Sequence, residues 1–512
     1  MQASPFEAGS EITRYYEMLP DSPLKQTYQD MLAGDDPKEK ADLQEHLRRL
    51  AVPGGIDVNI MARVDTDTYR DGEKLPQEYS AALAALRGYA NSSLRSSMVF
   101  SAGMNPRLYS YAAKFDDFFP DPHGVLKKKI VLKVSDYRSA VVQGKFFAKR
   151  GLWVSEYRVE SGLNCGGHAY ATKGLLLGPI LEEFKQQKDR LTQQLHAIYK
   201  KGLAASGRMP IELPHEIRIT AQGGIGTADE DALLLDYYHV DATGWATPFL
   251  LVPEVANVDQ QHLEKLLAAT GQDVFLSDNS PFGMPFWNLR NSASEEARRQ
   301  RIEQGKPGSA CYKTHVRFNT EFTEIPVCTG SHNYQRRKLR HLAEEGLTPD
   351  QLPLAREHVL AKSCICNDLG GGATIRYGID PGATPAICPG PSIADFSKVA
   401  TLEEMVSHIY GRASLPMSPD RAHMFIRELA IYVDYLRDEI EWCSSGLLSR
   451  PANYFDEFKE NLLGGVAYYR GLAEQLDELR SSGFDEQQRR RFLDGLTVLH
   501  EAIESILPVT VG

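Results

Sequence analysis

Apolar positions recur at helical spacing at both ends of the chain. Near the start, Ile12, Tyr15 and Leu19 lie three or four residues apart, and the same spacing continues beyond residue 397. Residues spaced in this way share one face of an α-helix. We therefore predict a helical segment over 1–52 and a helical region over 397–512. We interpret the second region as a cap or as the contact face of a homo-oligomer.

Between these regions, short β-branched or apolar runs alternate with stretches of helical pattern. Most of the runs end near Gly, Ser or Asn. This alternation is typical of βαβ units, which form a parallel sheet that is either open or closed as a barrel. In both arrangements the loops that follow the strands build the site. The predicted strands are 58–61, 98–101, 130–135, 152–159, 217–221 and 240–245.

The composition narrows the class of protein. The chain has 512 residues, of which 42% are hydrophobic and 24% charged, as in ordinary globular proteins. A net charge of −11 argues against a nucleic-acid partner, because neutralising phosphates needs clustered Lys and Arg. No apolar run approaches the roughly 20 residues that cross a bilayer, and seven cysteines are an odd number for a disulfide framework. We expect a cytoplasmic protein without a membrane or nucleic-acid partner.

A glycine-rich turn follows the fifth predicted strand. After Gln222, the residues Gly223, Gly224 and Gly226 allow backbone amides to approach an anion before the next helix begins. The end of the following strand supplies another glycine, Gly244. Barrels commonly bind phosphate with the loops after two such neighbouring strands, so we predict a phosphate site here. A purely structural turn is the alternative.

A second glycine loop follows the strand 152–159. It reads Asn164, Cys165, Gly166, Gly167 and His168. Two glycines allow a flat ligand to lie against the backbone, and an imidazole can exchange protons near neutral pH. We predict that the histidine is the catalytic acid or base. The alternative is an ordinary hydrogen-bonded loop histidine.

These motifs together resemble the nitronate monooxygenases, formerly called 2-nitropropane dioxygenases, and the related FMN enoyl reductases, including the one that serves polyunsaturated fatty acid synthases. Five of the motifs of that family have loose counterparts here in the same order. The counterparts are Asp57-Val58-Asn59, Cys165-Gly166-Gly167-His168, the segment 222–227, the segment 244–250 and the segment 283–291.

The resemblance implies an FMN-binding (β/α)₈ barrel of the TIM type and a flavin that oxidises or reduces a small organic or acyl substrate. It implies that His168 lies at the substrate, and we add Asn164 and Cys165 as its catalytic neighbours. The cofactor-binding set, partly implied by the family and partly extended to neighbouring residues, is Asn59, Gly166, Gly167, Gln222, Gly223, Gly224, Gly226, Gly244 and Trp245.

The chain also departs from the family pattern. The Glu-Ala pair that precedes Gly-Gly-His in the family is Asn164-Cys165 here, and the Thr of the second phosphate turn is Trp245. Because the phosphate glycines are kept, these changes indicate a different substrate and a retained cofactor. Two other functions stay open, namely a barrel enzyme that binds a phosphorylated substrate without flavin and a non-catalytic assembly protein with a barrel scaffold.

The six predicted strands are two fewer than a (β/α)₈ barrel needs, because residues 1–52 are predicted to be helical. The segments 358–366 and 384–391 are the remaining strand-like runs, so we predict a barrel that is permuted in chain order and closed by these segments. The predicted organisation is then a helical segment over 1–52, the FMN-binding core over 53–292, an insertion with the closing strands over 293–396, and the helical region over 397–512.

Three cysteines fall in the predicted closing strands, and a fourth cysteine that precedes them in the chain could join them as a ligand. They are Cys328, Cys364, Cys366 and Cys388, and the last three would lie at strand ends facing the flavin. Thiolates bind zinc or iron–sulfur clusters, but the usual sites contain C-x-x-C pairs that are missing here. Buried cysteines more often pack as small hydrophobic residues. We therefore expect no metal and keep these four as candidate ligands.

Overall fold

Three helices open the chain and share a small core of their own. The computed structural model describes residues 3–52, 54–60, 65–101, 103–312, 314–451, 453–478 and 485–507. The first helices are α1 (Glu11–Met18), α2 (Pro23–Ala33) and α3 (Pro37–Leu50). Ser10, Ser22 and Asp36 begin them, because each side chain accepts a hydrogen bond from a backbone N–H of the first turn. Their shared core consists of Ile12, Tyr16, Tyr28, Met31, Leu47 and Ala51.

The strands of the described residues form one parallel sheet and two small antiparallel pairs. The parallel sheet has six strands in the order β1-β4-β5-β6-β7-β8, so its strands lie side by side in the order in which they occur along the chain. The pairs are β2 with β3 and β9 with β10. The strands are β1 (Val58–Ile60), β2 (Tyr69–Arg70), β3 (Glu73–Lys74), β4 (Ser97–Phe100), β5 (Lys129–Val134), β6 (Val154–Glu160), β7 (Arg218–Gln222), β8 (Ala242–Gly244), β9 (Val274–Ser277) and β10 (Phe286–Leu289).

Helices follow most strands of the sheet and also form the carboxyl-terminal region. In the described residues, no helix is both long and apolar enough to span a membrane. The remaining helices are α4 (Ala81–Ala90), α5 (Pro106–Ala112), α6 (Tyr137–Ala148), α7 (Leu177–Ala205), α8 (Ala228–Ala232), α9 (Gln260–Leu267), α10 (Ala293–Glu303), α11 (His332–Leu342), α12 (Gln351–Ala361), α13 (Ile365–Asp368), α14 (Gly371–Arg376), α15 (Leu402–Ile409), α16 (Met424–Ser444), α17 (Tyr454–Glu478) and α18 (Glu486–Glu504).

The two faces of the sheet differ in polarity. Leu132 of β5 pairs with Tyr157 of β6, and both are fully buried on the face that α6 and α7 cover. Successive side chains of a strand point to opposite faces. Lys133, Arg158 and Glu160 therefore point to the other face, and this polar face is the inner side of a curled half-barrel. The predicted α/β class with a parallel sheet is confirmed.

The prediction of two closing strands is wrong. Residues 358–361 belong to α12 and residues 365–368 form α13, while 384–391 contains no strand. The apolar residues Ala355 and Val359 lie four apart and are buried against Leu342, which is helical packing. Within the described part of the chain, the sheet therefore stops at six strands and no eight-stranded barrel is closed. Residue 61, the last of the first predicted strand, lies outside the described residues.

The carboxyl-terminal helices cover the loop that follows β6. The Asn164 amide donates a hydrogen bond to the backbone oxygen of Met424 at the start of α16, at 3.0 Å. About two turns further along α16, the Tyr432 hydroxyl lies 2.7 Å from the Thr172 hydroxyl. The helical region after residue 397 is therefore a cap on its own chain.

Candidate functional site

A cavity lies at the carboxyl ends of three neighbouring strands. Its volume is about 830 Å³, within the range of small-molecule sites. Lys133 and Glu160 line it from the polar face of the sheet, and Gly103, Ser161 and Tyr170 line it from the loops after β4 and β6. This is the edge on which parallel α/β folds build their sites.

The charged groups in the cavity hold one another in place. The Lys133 ammonium lies 2.7 Å from a Glu160 carboxylate oxygen, and the Gln222 amide donates to the other oxygen of that carboxylate at 2.6 Å. The side chains of the pair are 18% and 16% exposed, so a ligand in the cavity can reach them. The sequence analysis missed both residues. Lys133 could have been identified from its position within the apolar run Ile-Val-Leu-Lys-Val.

The glycine turn after β7 packs against the loop after β6. Gly223 and Gly224 have φ angles of +107° and +83°, a region that side chains disfavour. A Cβ on Gly223 would lie 3.0 Å from that of Ser161, and a Cβ on Gly224 only 2.0 Å from the Asn164 amide nitrogen. The two predicted motifs are therefore in direct contact, and Ser161 joins them to the cavity.

Asn164 has one polar atom without a partner. Its side chain is 1% exposed, and its amide nitrogen is committed to the backbone oxygen of Met424. Its amide oxygen is buried and accepts no hydrogen bond. A buried acceptor of this kind is costly unless a donor reaches it. The oxygen lies beside Gly224, at the contact between the two glycine loops.

The far end of the glycine turn is held by a buried ion-pair network. Gly226 N–H donates to Glu230 at 2.8 Å, and Arg421 binds both oxygens of that carboxylate at 2.7 and 2.6 Å. Asp395 lies 3.3 Å from the other side of the guanidinium. Burial alone would raise the pKa of Glu230, but the charge of Arg421 and the hydrogen bond from Gly226 outweigh it and hold the pKa at about 2.

The other predicted flavin contacts lie on the strands at either side. Gly244 ends β8, and a Cβ there would be 2.9 Å from the Cβ of Gln222. The indole N–H of Trp245 donates to buried Asp231 in α8 at 3.1 Å. Asn59 lies on β1 at the opposite edge of the sheet, where its exposed side chain accepts a hydrogen bond from Ser101 at 3.4 Å.

His168 lies behind the cavity, against the β9–β10 hairpin. Its Nε2 atom shares a 2.6 Å hydrogen bond with the hydroxyl of Ser280, a fully buried residue in the hairpin loop. The rings of Phe282 and Phe286 lie 5.5 and 5.0 Å from the imidazole. Burial lowers the pKa of His168 to about 4, so the imidazole is neutral at neutral pH. Ser280 was missed by the sequence analysis, because nothing local marks it.

The remaining members of the loop after β6 pack closely. Cys165 is buried, and this burial raises the pKa of its thiol well above the usual range, which keeps it protonated. A Cβ on Gly166 would meet the backbone of the segment 388–390 at 3.1 to 3.4 Å, whereas a Cβ on Gly167 would meet nothing within 4 Å. The segment predicted as a closing strand therefore lies beside the site as irregular chain.

Glu428 of α16 is a further group that the sequence analysis missed. Its carboxylate accepts hydrogen bonds from the Ser161 hydroxyl at 2.5 Å and from the Leu177 N–H at 2.9 Å. Burial raises the pKa of Glu428 to about 7. It is far from Ser161 in sequence, and no local pattern links the two.

The four candidate cysteine ligands do not come together as one set. The sulfurs of Cys364 and Cys366 lie 4.0 Å apart, and Cys328 lies close to Cys364. Cys388 is elsewhere, with its backbone against Gly166. Among the described residues, no three His, Cys, Asp or Glu side chains are already arranged to hold a metal ion.

The chain matches no model of a known protein family, and no curated protein matches it either.

Proposed function

We propose that the protein is an FMN-dependent oxidoreductase of the nitronate monooxygenase or enoyl reductase type, which acts on a small organic or acyl substrate. One observation carries the proposal. The glycine turn after β7 and the loop after β6, which carry the two strongest motifs of the resemblance, touch one another beside a cavity of about 830 Å³. A cytoplasmic location and a homo-oligomeric state stay predictions.

The residues present suit FMN in three respects. Gly223 and Gly224 have positive φ angles, a backbone conformation suited to glycine-rich turns that bind phosphate through their amides. The unpartnered Asn164 oxygen is an acceptor suited to a ribityl hydroxyl. The cavity also holds a cation, Lys133, and a cation near the flavin ring stabilises its reduced, anionic form.

In this proposal the chain supplies binding, orientation and control of charge. Gly223, Gly224 and Gly244 hold the phosphate end, and Glu160 positions the Lys133 ammonium. Bound FMN would supply the transfer of a hydride or of electrons. The apolar neighbours Met284 and Pro285 close one side of the cavity and help to exclude water.

His168 is the proposed proton carrier. Because the pKa of its imidazole is about 4, the ring is neutral and bound to Ser280. A neutral imidazole accepts a proton at one nitrogen while the other donates a hydrogen bond. Its sequence neighbours Ala169 and Tyr170 line the cavity, and the ring itself lies behind them, against Ser280 of the hairpin loop.

The colour of the protein tests the proposal first. The purified chain is expected to absorb in the flavin bands, or to regain this absorption when FMN is added and the excess is removed. Flavin released by denaturation is then counted against protein. A colourless chain that retains no added FMN would contradict the proposal and favour a phosphorylated substrate or a role without catalysis.

Replacing the histidine separates catalysis from binding. His168→Ala is expected to keep bound flavin and to lose about 10² to 10⁴-fold in turnover, the usual contribution of a general acid or base. Ser280→Ala is the matched control, because it keeps the imidazole and removes only its partner. Loss of flavin from His168→Ala would make the histidine structural.

A further inference from the structure

Two pairs of cysteines lie close together outside the cavity. The sulfurs of Cys364 and Cys366 are 4.0 Å apart, and the thiols of Cys311 and Cys328 lie close enough to influence one another electrostatically. The two pairs lie near one another, Cys328 near Cys364 and Cys366 near Cys311. None of the four forms a disulfide. Four free thiols from distant parts of the sequence therefore occupy one neighbourhood.

Backbone contacts bring the three cysteine-bearing segments together. Ser309 N–H donates to the Gly330 oxygen at 3.1 Å, which joins the segment before Cys311 to the turn after Cys328. A Cβ on Gly330 would lie only 2.7 Å from the backbone oxygen of Ser363, the residue before Cys364. The main chain thus holds the three segments, and with them the two pairs of cysteines, next to one another.

The segment that carries Cys311 and Cys328 has little structure of its own. Between α10 and α11, residues 304–331 contain, so far as they are described, only the isolated bridges of Ser309 with Ser331 and of Asn319 with Val327. Long segments without helix or strand are uncommon in compact domains and need another source of order. A metal ion bound by thiolates supplies such order.

We propose that Cys311, Cys328, Cys364 and Cys366 form a tetrathiolate site for a single zinc ion. Zinc–sulfur bonds of about 2.3 Å place the sulfurs of a tetrahedral site about 3.8 Å apart. The 4.0 Å between Cys364 and Cys366 is close to that value. In an iron–sulfur cubane the thiolates bind different iron atoms and lie further apart. Cys388 takes no part.

Binding needs a small closure of the site. As placed, the thiols meet as two pairs, and no three of these side chains in the described residues are yet set around one point. The ion would draw the pairs together, and each thiol would release its proton to solvent as its sulfur becomes a ligand. Cys328 and Cys364 are 3% and 5% exposed, so the bound ion would be shielded.

The site would also support the loop that holds His168. Ser363 N–H donates to Asn279 at 3.0 Å, and the Thr329 hydroxyl donates to Pro281 at 3.2 Å. These two acceptors flank Ser280, the hydrogen-bond partner of the imidazole. Ordering of the cysteine segments by zinc would therefore order this loop.

Metal analysis of the full chain, purified under reducing conditions, tests the proposal. We expect about one zinc per chain, and cobalt added to the stripped protein should give the intense visible bands of a tetrathiolate site. Cys364→Ser should weaken zinc binding more than about tenfold, while Cys388→Ser and Cys443→Ser should leave it unchanged. A reduced chain that binds neither metal, iron with acid-labile sulfide in place of zinc, or a Cys311–Cys328 disulfide would each overturn the proposal.

An alkylation experiment on the wild-type chain avoids variants that fail to fold. Each cysteine is alkylated with and without added zinc and quantified by peptide mass spectrometry. Zinc should slow the alkylation of Cys311, Cys328, Cys364 and Cys366 at least about tenfold and leave Cys443 unaffected. Equal labelling of all five with and without zinc would overturn the site.

Discussion

The carboxyl edge of the sheet has an open half and a closed half. In the open half, after β4 to β6, the Lys133–Glu160 pair borders a cavity and its side chains are 18% and 16% exposed. In the closed half, after β7 and β8, the Arg421–Glu230 pair is 8% and 2% exposed, and Asp395 packs against it. An acid–base pair at a cavity can rearrange around a ligand, whereas a fully buried pair fixes the chain around it.

The comparison assigns different tasks to the two halves. The closed half holds the glycine turn rigidly, because Arg421 contacts Glu230 and also donates to the Gly224 oxygen at 3.3 Å. The open half keeps a reachable cation and space for a ring system. In this account the rigid glycine turn of the closed half binds the phosphate end of FMN. The redox chemistry takes place next to it, in the open half.

The largest expected effect comes from breaking the closed half. Arg421→Met leaves the Glu230 carboxylate buried without its partner and should destabilise the protein by about 3–5 kcal/mol in urea unfolding. The matched control is Arg14→Met, which removes a half-exposed pair with Glu254 and should cost at most about 1 kcal/mol. Similar losses of stability in the two variants would show that the buried ion pair does not hold the closed half in place.

A smaller effect is expected at the border of the two halves, where Glu428 lies. Its pKa is about 7 in the folded protein and about 4.5 ordinarily, so folding favours its protonated form. This contribution is fully present below about pH 4.5 and is lost as the pH rises to about 7, a change of about 3 kcal/mol. Glu428→Gln should remove this part of the pH dependence, because an amide keeps the same hydrogen-bonding positions without titrating.

The measurement is the free energy of unfolding of wild type and Glu428→Gln across that pH range. The difference between the two proteins should change by about 3 kcal/mol, with the wild type relatively more stable at acid pH. Two parallel curves would mean that the carboxyl does not titrate in this range.

The smallest expected effect compares the two glycine loops. Gly224 and Gly167 both have positive φ angles, so an alanine is strained at either position by about 1–2 kcal/mol. Only at Gly224 does the new methyl also meet a side chain, that of Asn164, and overpacking should add about 1–3 kcal/mol.

A double variant isolates that added cost. Combining Gly224→Ala with Asn164→Ala removes the atoms that the methyl would meet, so the pair should lose less stability than the sum of the single variants. Equal costs for Gly224→Ala and Gly167→Ala, or strictly additive costs in the double variant, would remove the packing contact from the account.

The sequence was informative about the sheet because strands are local patterns. The six β-branched runs all overlap the observed parallel strands. It misled at 358–366, where a few β-branched residues masked a helical spacing that buries Val359. In physical terms, a short apolar run is compatible with either element until its packing partner is known.

The candidate site was only half predictable. The glycines and His168 stood out because turns and imidazoles have local signatures. Arg421 and Glu428 did not, since they reach the site from helices and loops almost 200 residues or more away in sequence. Their role depends on tertiary packing of the carboxyl-terminal region, which no local pattern encodes.

The central claim is that the glycine turn binds the phosphate of a flavin whose ring lies in the open half. Titration of the flavin-free protein with FMN and with riboflavin, followed by flavin fluorescence, tests it most directly, because the two ligands differ only in the phosphate. The account predicts that FMN binds at least about tenfold more tightly, as charge-assisted hydrogen bonds contribute about 1.5–3 kcal/mol each. Equal affinity for both, or binding of neither, would contradict it.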